Sequence, residues 1–443
     1  MSPTSLTPRS HLSTAGAAAL YIGALLGPSM LLLPGLAARA AGPASLLVWL
    51  ALLVLSGLIA VVFTRLGTRM GSADGVAGYT AAGLGPRAGR AAAWCFLAGV
   101  VTGAPVVCLI GGTYVAEVLG AGQETAYVAA MGLLVLVLAI RLAGVRTGAG
   151  LQLVLVAVLV ALVVLAVAGA APQARAAHWT PFAPYGWDGA VRAAPPLMLA
   201  FVGWEAAASL TARLRDPRRQ LPRVVAVAFV VTAVLYLAMA AATVAVLGPG
   251  AGGSVPLADL LRVAIGAYGP WPAAACAIVL TLAATNAYLA GATTMTAALV
   301  NGAGRRERPG RRGPVGIVVA IAAAGALLLG LAGSGLVTTT HLVAVPTTFF
   351  LVVYLGCMAA AARVLTGAVR LAAGTACAVV LLLLANAGWS VLAAAAVALA
   401  AGARARPRSA ATAPGGGGQA ATRRAGVLAA AVEKRPRDAD PSL

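Results

Sequence analysis

One acidic residue lies where an acid is expensive. Glu205 sits inside the apolar run PPLMLAFVGWEAAASL (195–210), the one carboxylate well within a stretch long enough to cross a bilayer. A charge at that depth costs about 3 kcal/mol or more unless it is paired, neutral or hydrated, so an acid there is a functional candidate. Three uses suit it: carrying a proton, binding an ammonium, or accepting backbone N–H bonds where the helix restarts beside Gly203. Phe201 and Trp204 flank it, either to pack or to close over a pocket. A second stretch, GALLGPSMLLLPG (23–35), has no charge but a poor helical middle in Gly27, Pro28 and Ser29. Glycine costs about 1 kcal/mol and proline about 3 kcal/mol in a helix interior. In lipid, the groups freed by a break must be taken up by protein or by a cavity. A half-helix restarting near Met30 would aim N–H groups and a positive dipole end at the gap, which suits a carboxylate. Leu26 and Gly27, ending the other half, would offer carbonyls to a cation or an ammonium. The alternative is a proline kink packed against its neighbours.

Other reactive chemistry is sparse. Thr281, Thr285 and Asn286 in TLAATNAYLAG (281–291) share a helical face; they either bond between helices or line a path. The histidines are His11, His178 and His341, with no HExxH motif, no buried Ser–His pairing and no aspartate within a span. That excludes an intramembrane protease, and no enzymatic activity is expected. Cys95, Cys108, Cys276, Cys357 and Cys377 all fall in apolar segments without paired spacing, which reads as small buried hydrophobes with no disulfide and no metal site. With no nucleotide-binding motif and no cofactor expected, an ion gradient is the expected energy source. A proton is the first choice, and a sodium site from span-1 carbonyls and Thr285 stays open.

The elements that must position these residues are membrane helices. Hydrophobic residues make up 61% of the chain and charged residues 9%, with mean hydropathy +0.95; soluble domains carry roughly 25% charge. The net charge of +20 does not indicate nucleic acid, because the arginines lie in short loops between apolar runs. Spans of about 20 residues are expected at 14–40, 44–64, 91–118, 126–141, 149–171, 191–211, 222–247, 269–299, 314–333, 340–362, 368–385 and 387–402. This is an all-α polytopic fold with about twelve transmembrane helices. Residues 1–13 read as a polar leader without a cleavable signal. Residues 403–443, rich in Ala, Gly, Pro and Arg, read as a disordered basic tail. With the N-terminus inside, the loops leave only Arg39, Arg175, Arg192 and Arg262 outside, and that asymmetry sets both ends in the cytoplasm. Span 1 then runs outward and span 6 inward. Spans 1–5 (14–171) and 6–10 (191–362) form two halves of inverted topology, each opening with a broken helix, and 368–402 is an addition.

Smaller features complete the reading. Pro217 and Pro222 in RLRDPRRQLPR (213–223) stop helices, and Asp216 caps or pairs with an arginine. The segment 72–85 is too short to span and is expected to re-enter or to lie along the inner surface. Gly103 with Pro105, and Pro346 with Thr347 and Thr348, are expected to make spans 3 and 10 locally irregular. His341, at the outer start of span 10, reads as structural.

Three of these stretches resemble one family. GALLGPSMLLLPG is similar to the glycine-rich first-span motif of the amino acid–polyamine–organocation permeases. PPLMLAFVGWEAAASLTARLRDPRRQLPR is similar to that family's Phe-x-Gly-x-Glu followed by Asp-Pro and Pro-Arg, and SADGVAGYTAAGLGPRAGRAAAW (72–94) resembles its loop between spans 2 and 3. The length and compact loops look most like the bacterial methionine and branched-chain amino-acid exporter branch. The resemblance implies a LeuT-like five-plus-five inverted repeat with an amino acid held between broken helices 1 and 6. It implies that Gly27, Ser29 and Met30 meet the substrate carboxylate. Phe201, Val202 and Gly203 would then offer backbone to its ammonium, with Phe201 or Trp204 as a lid. Ser29 stands where the family has a second glycine, Leu31 where it has an aromatic, and Asp74 replaces a common glycine. The expected function is proton-coupled export of apolar amino acids across the cytoplasmic membrane by alternating access. A proton- or sodium-coupled importer is the alternative, and a non-transporting amino-acid sensor a more distant one. The expected partners are the amino acid and membrane lipid, with no nucleic acid.

Overall fold

Gly27 and Pro28 divide the first apolar run into α1 (Thr14–Leu26) and α2 (Ser29–Ala41) in the computed structural model, which describes residues 12–71, 75–144, 149–211, 213–248, 253, 255–301 and 312–403. Ser13 caps α1 by accepting from the Gly16 N–H at 3.1 Å. A turn at Gly42 and Pro43 reverses the chain into α3 (Ser45–Met70). The short α4 (Gly75–Leu84) lies against the long α5 (Pro86–Val118), and α6 (Gln123–Leu142) and α7 (Ala149–Ala170) follow. The second apolar break separates α8 (Gly186–Leu197) from α9 (Ala206–Thr211). Then follow α10 (Pro217–Ala242), α11 (Pro256–Ile265), α12 (Pro270–Asn301), α13 (Arg312–Gly333), α14 (Thr339–Val364), α15 (Ala368–Ala385) and α16 (Ser390–Ala403). Among the described residues no β-strand forms beyond an isolated Leu12–Leu214 bridge. Nine helical stretches there are long and apolar enough to cross a membrane. The protein is a multi-pass membrane protein. Helix is the form lipid demands, because it satisfies its own backbone groups.

The helices follow the apolar runs, with shifted ends. α6 is a full 20 residues where a shorter span is read from the sequence. α15 and α16 are separated by Asn386–Trp389. Pro222 does not stop a helix: α10 starts five residues earlier and runs through it. Pro217 takes the first helical position, where a missing N–H costs nothing. Asp216 caps the helix by accepting from the Arg219 N–H at 3.3 Å, and also pairs with the Arg219 guanidinium at 3.7 Å. Pro105 and Pro346 likewise lie inside continuous helices, α5 and α14. These two helices cross where a Cβ on Gly103 would meet Pro346 at 3.4 Å. Gly83 is pressed against the Ala360 backbone, so α4 is a helix packed on α5 and α14. His341 bonds through Nδ1 to the Thr338 hydroxyl at 3.0 Å, at the start of α14. Residues 1–11, Asp74 and the tail from 404 onward lie outside the described residues.

Candidate functional site

The first break is short and open. α1 ends at Leu26, the chain turns on Gly27, and α2 starts at Ser29 directly after Pro28. No side chain caps α2; Pro28 serves as its N-cap in a helical conformation. The first N–H groups of a helix need partners from outside it and carry its positive partial charge. A Cβ placed on Gly27 would meet nothing within 4 Å, so there is room beside this turn. Ala24 is exposed there, although its neighbours Gly23 and Leu25 are buried. The Ser29 hydroxyl lies 2.9 Å from that of Tyr236 on α10, whereas Leu26 and Met30 are buried in the core. On the α2 side, Tyr114 of α5 donates to the Leu31 carbonyl at 2.8 Å.

The second break is longer and internally bonded. Pro195 and Pro196 end the regular turns of α8. The chain tightens through a 3-10 turn (Met198–Phe201), extends at Val202, and reaches φ 141° at Gly203. Only glycine takes that conformation without strain. The Glu205 carboxylate turns back along the chain: Oε2 accepts from the Gly203 N–H at 3.0 Å and from the Tyr354 hydroxyl of α14 at 2.7 Å. Tyr354 also lies 3.2 Å from the Gly203 nitrogen and 3.2 Å from the Phe201 carbonyl oxygen. One phenol therefore ties the two ends of the break together.

The two breaks touch. A Cβ on Gly203 would sit 3.0 Å from the Ala24 carbonyl oxygen and 3.2 Å from Leu25, so glycine is needed for contact as well as for φ. Tyr21 of α1 donates to the Trp204 carbonyl at 2.8 Å. Two interrupted membrane helices in backbone contact are the arrangement expected of a transport site. The sequence profile of the amino acid permeases matches residues 12–301, which span both breaks. The chain belongs to the amino acid permease family. It is 30% identical to the uncharacterized amino acid permease YecA of Bacillus subtilis, over 84% of this chain and 90% of that protein. It is 28% identical to the L-methionine/branched-chain amino acid exporter YjeH of Escherichia coli, over 87% of this chain and 94% of that protein. An uncharacterized transporter of Mycobacterium tuberculosis is 31% identical over 58% of each chain.

Within this permease the remaining candidate residues fall into two groups. Gly27, Ser29, Gly203 and Glu205 gather at the facing breaks. Phe201, Val202 and Trp204 lie beside them with buried side chains. Phe201 packs edge-on to Trp49 at 6.0 Å and tilted on Tyr236 at 5.6 Å. Trp204 packs edge-on to Tyr21 at 5.4 Å and donates its indole N–H to Ser56 at 2.8 Å. In this conformation both rings are packed into the core rather than free to close as a lid. Thr285 and Asn286 are buried on α12. The Thr285 hydroxyl lies 3.8 Å from the Cys108 thiol, and Thr281 donates to the Val107 carbonyl at 3.3 Å. The threonines of that stripe thus join α12 to α5.

Residues that sequence reasoning missed are mostly tyrosines. Tyr354 and Tyr236 meet the two breaks directly. Tyr288 of α12 lies within electrostatic reach of Glu205 and of Tyr236. A signal for them existed: a buried phenol keeps a polar tip that needs a partner, and each sits inside an apolar span.

Proposed function

We propose that this permease is a secondary active transporter that moves apolar amino acids across the cytoplasmic membrane by alternating access, and that it exports them against an inward proton flow. The observation that carries the reading is the contact between the breaks. An uncapped helix start with open space at Gly27 stands next to a break that holds the Glu205 carboxylate. A zwitterion needs a positive partner for its carboxylate and a negative one for its ammonium. The α2 N-terminus supplies the first, with Ser29 and Met30 at its opening. The carboxylate and carbonyls around Gly203 supply the second, with Phe201 and Val202 contributing backbone. We place twelve crossings in the chain, with 14–171 and 191–362 as inverted repeats, 368–402 as an addition, and both termini in the cytoplasm. The loop arginines support that orientation. The exporter name of the Escherichia coli relative, matched over 94% of its length, favours export and a methionine or branched-chain substrate. Glu205 is the candidate proton carrier.

The test is flux in proteoliposomes of known orientation, loaded with labelled methionine, leucine, isoleucine or valine. The expected result is movement from the cytoplasmic to the outer face, driven by an inward proton gradient and indifferent to sodium. Uptake in the opposite sense under the same gradient would make the protein an importer. Flux that ignores both gradients would remove the coupling. Binding without flux would make it a sensor.

A further inference from the structure

Three aromatic rings join the two breaks. Trp49 of α3 lies edge-on to Phe201, with 6.0 Å between ring centres, and stacks on Tyr236 of α10 at 5.0 Å with 23° between the planes. Phe201 and Tyr236 close the triangle at 5.6 Å. All three side chains are fully buried. Two corners of the triangle reach the two ends of the proposed site. Phe201 directly precedes Val202 and Gly203 in the second break, and its carbonyl oxygen lies 3.2 Å from the Tyr354 hydroxyl. Tyr236 carries its hydroxyl to that of Ser29, at the start of α2 in the first break. Trp49 touches both rings and belongs to neither broken helix.

The helix that carries Trp49 is a firm support. α3 is uninterrupted from Ser45 to Met70 and packs along α10 at three levels. Trp49 stacks on Tyr236, a Cβ on Gly57 would meet Phe229 at 3.3 Å, and one on Gly67 would meet Leu221 at 3.1 Å. Ser56, on the same face of α3 as Trp49, accepts from the Trp204 indole N–H at 2.8 Å. The two tryptophans differ in this respect. Trp204 is anchored by its N–H, whereas that of Trp49 has no partner among the described residues. An unmet donor in a dry core carries a penalty, so the Trp49 indole is held by the faces and edges of its ring alone. What it transmits is therefore ring position. Aromatic pairs keep preferred geometries, and close-packed interiors pass small displacements on. A shift of this ring moves the partner of Ser29 and the backbone of Phe201 together.

We propose that Trp49 is a positioning residue: through Tyr236 and Phe201 it fixes the spacing between the carboxylate end and the ammonium end of the site, and that spacing selects amino acids whose two charged groups share one carbon. The assignment rests on the transport reading above and extends it to the main chain of the substrate. A β-amino acid separates the two groups by one more carbon, about 1.5 Å of bond. A preorganised site holds its groups to within about 0.5 Å. A fixed spacing therefore tells the two classes apart, and a slack one does not.

The experiment is exchange of labelled L-leucine by the full-length protein in proteoliposomes, competed by unlabelled L-leucine or by its isomer β-leucine. The ratio of the two half-inhibition concentrations gives the preference for the α-isomer. The parent is expected to show a strong preference. Trp49→Leu removes both ring pairings and is expected to lower that preference about tenfold, mainly by weakening L-leucine. Trp49→Phe keeps a ring against both partners and loses the unmet N–H, so its preference should stay within about twofold of the parent. Phe96→Leu breaks a different ring pair, with Phe350, and should leave the preference unchanged. Should Trp49→Leu not fold, Trp49→Met fills the space without a ring and carries the same expectation. The proposal is overturned by a preference that survives in the ringless variants, or that falls equally in Trp49→Phe or in Phe96→Leu. It is overturned equally by a parent that does not distinguish the isomers. A parent that exchanges no leucine would overturn the transport reading and this assignment together. Normal parent exchange with an unchanged preference in the ringless variants would overturn this assignment alone.

Discussion

At the first break the chain turns on Gly27 and Pro28, and no side chain caps the helix that follows. At the second it turns on Gly203, whose N–H is taken by Glu205 and Tyr354. The first leaves donors and open space, and the second fills itself with a carboxylate and a phenol. An isolated helix start attracts anions, whereas the second break presents oxygen acceptors, the Glu205 carboxyl and the Phe201 carbonyl. Two similar interruptions thus give a site with two different ends. The asymmetry also assigns separate risks. Substitutions at the first break should change binding, and those at the second should change the fold or the coupling.

The sharpest test is the same substitution at the two glycines. Gly203→Ala forces a side chain into φ 141° and to 3.0 Å from the Ala24 carbonyl. The conformational strain alone is on the order of 1–3 kcal/mol, and the contact between the breaks must widen as well. The expected result is a lower unfolding temperature and loss of transport. Gly27→Ala meets nothing within 4 Å, but its backbone sits at φ 17°, ψ −164°, outside the regions open to alanine; stability should therefore fall here too, by less than at Gly203 because no contact between the breaks has to widen. The half-saturation concentration should also rise, because the methyl would enter the space proposed for the substrate carboxylate. Thermal unfolding in detergent, followed by flux, measures both. Similar thermal losses at the two positions would break the comparison.

Next in size is the pair Glu205→Gln and Tyr354→Phe. Hydrogen bonds to charged groups are worth about 1.5–3 kcal/mol, so each variant should slow transport roughly 10- to 100-fold. The two separate on pH. If Glu205 carries the coupling proton, Glu205→Gln loses the pH dependence of flux while Tyr354→Phe keeps it. If Glu205 only closes the break, both slow transport with the pH profile intact. Ser29→Ala is milder. It removes one hydroxyl contact with Tyr236, worth about 0.5–1.5 kcal/mol, and should shift half-saturation by up to about tenfold with little thermal effect.

The positions of both breaks were legible because glycine and proline act locally. Gly27–Pro28 and Gly203 interrupt apolar runs that otherwise have one conformation available in lipid, and Glu205 announces itself by cost. Partners across the fold were not legible. Tyr354 and Glu205 are 149 residues apart, and Ser29 and Tyr236 are 207 apart. A tyrosine in a span predicts a hydrogen bond without naming its acceptor. The shared face of Thr281, Thr285 and Asn286 is visible in the sequence, which does not say which neighbour it meets; the close packing of α5 on α12 decides that. Proline marks a helix stop in the sequence, and Pro222 is not one. In the second turn of α10 the carbonyl it orphans belongs to Arg218, near the exposed end of the helix, so the helix tolerates it.

The smallest expected effect concerns α11, which packs beside α2. α11 lies against α2: a Cβ on Gly35 would meet the Gly253 carbonyl at 2.5 Å and Pro256 at 3.3 Å. Arg262 of α11 bridges Asp259, at 3.0 Å, and Glu117 at the end of α5. The arginine is 44% exposed, so Arg262→Gln should cost only about 0.2–1 kcal/mol. Asp259 behaves differently. Burial, and then the neighbouring Glu117, push its carboxyl above the ordinary aspartate value, and Arg262 offsets only part of that. A group raised in the folded state stabilises when protonated. Its contribution is complete below the unfolded pKa and is lost as pH rises through the folded one. Asp259→Asn should therefore keep or gain thermal stability at neutral pH and flatten the stability profile in the acid range, while Arg262→Gln lowers stability at neutral pH. Unfolding temperature against pH for the two variants measures this. If Arg262→Gln instead destabilised the protein as much as Gly203→Ala, the packing of α11 on α2 would be as integral to the fold as the second break, and the first break could not be the freer of the two.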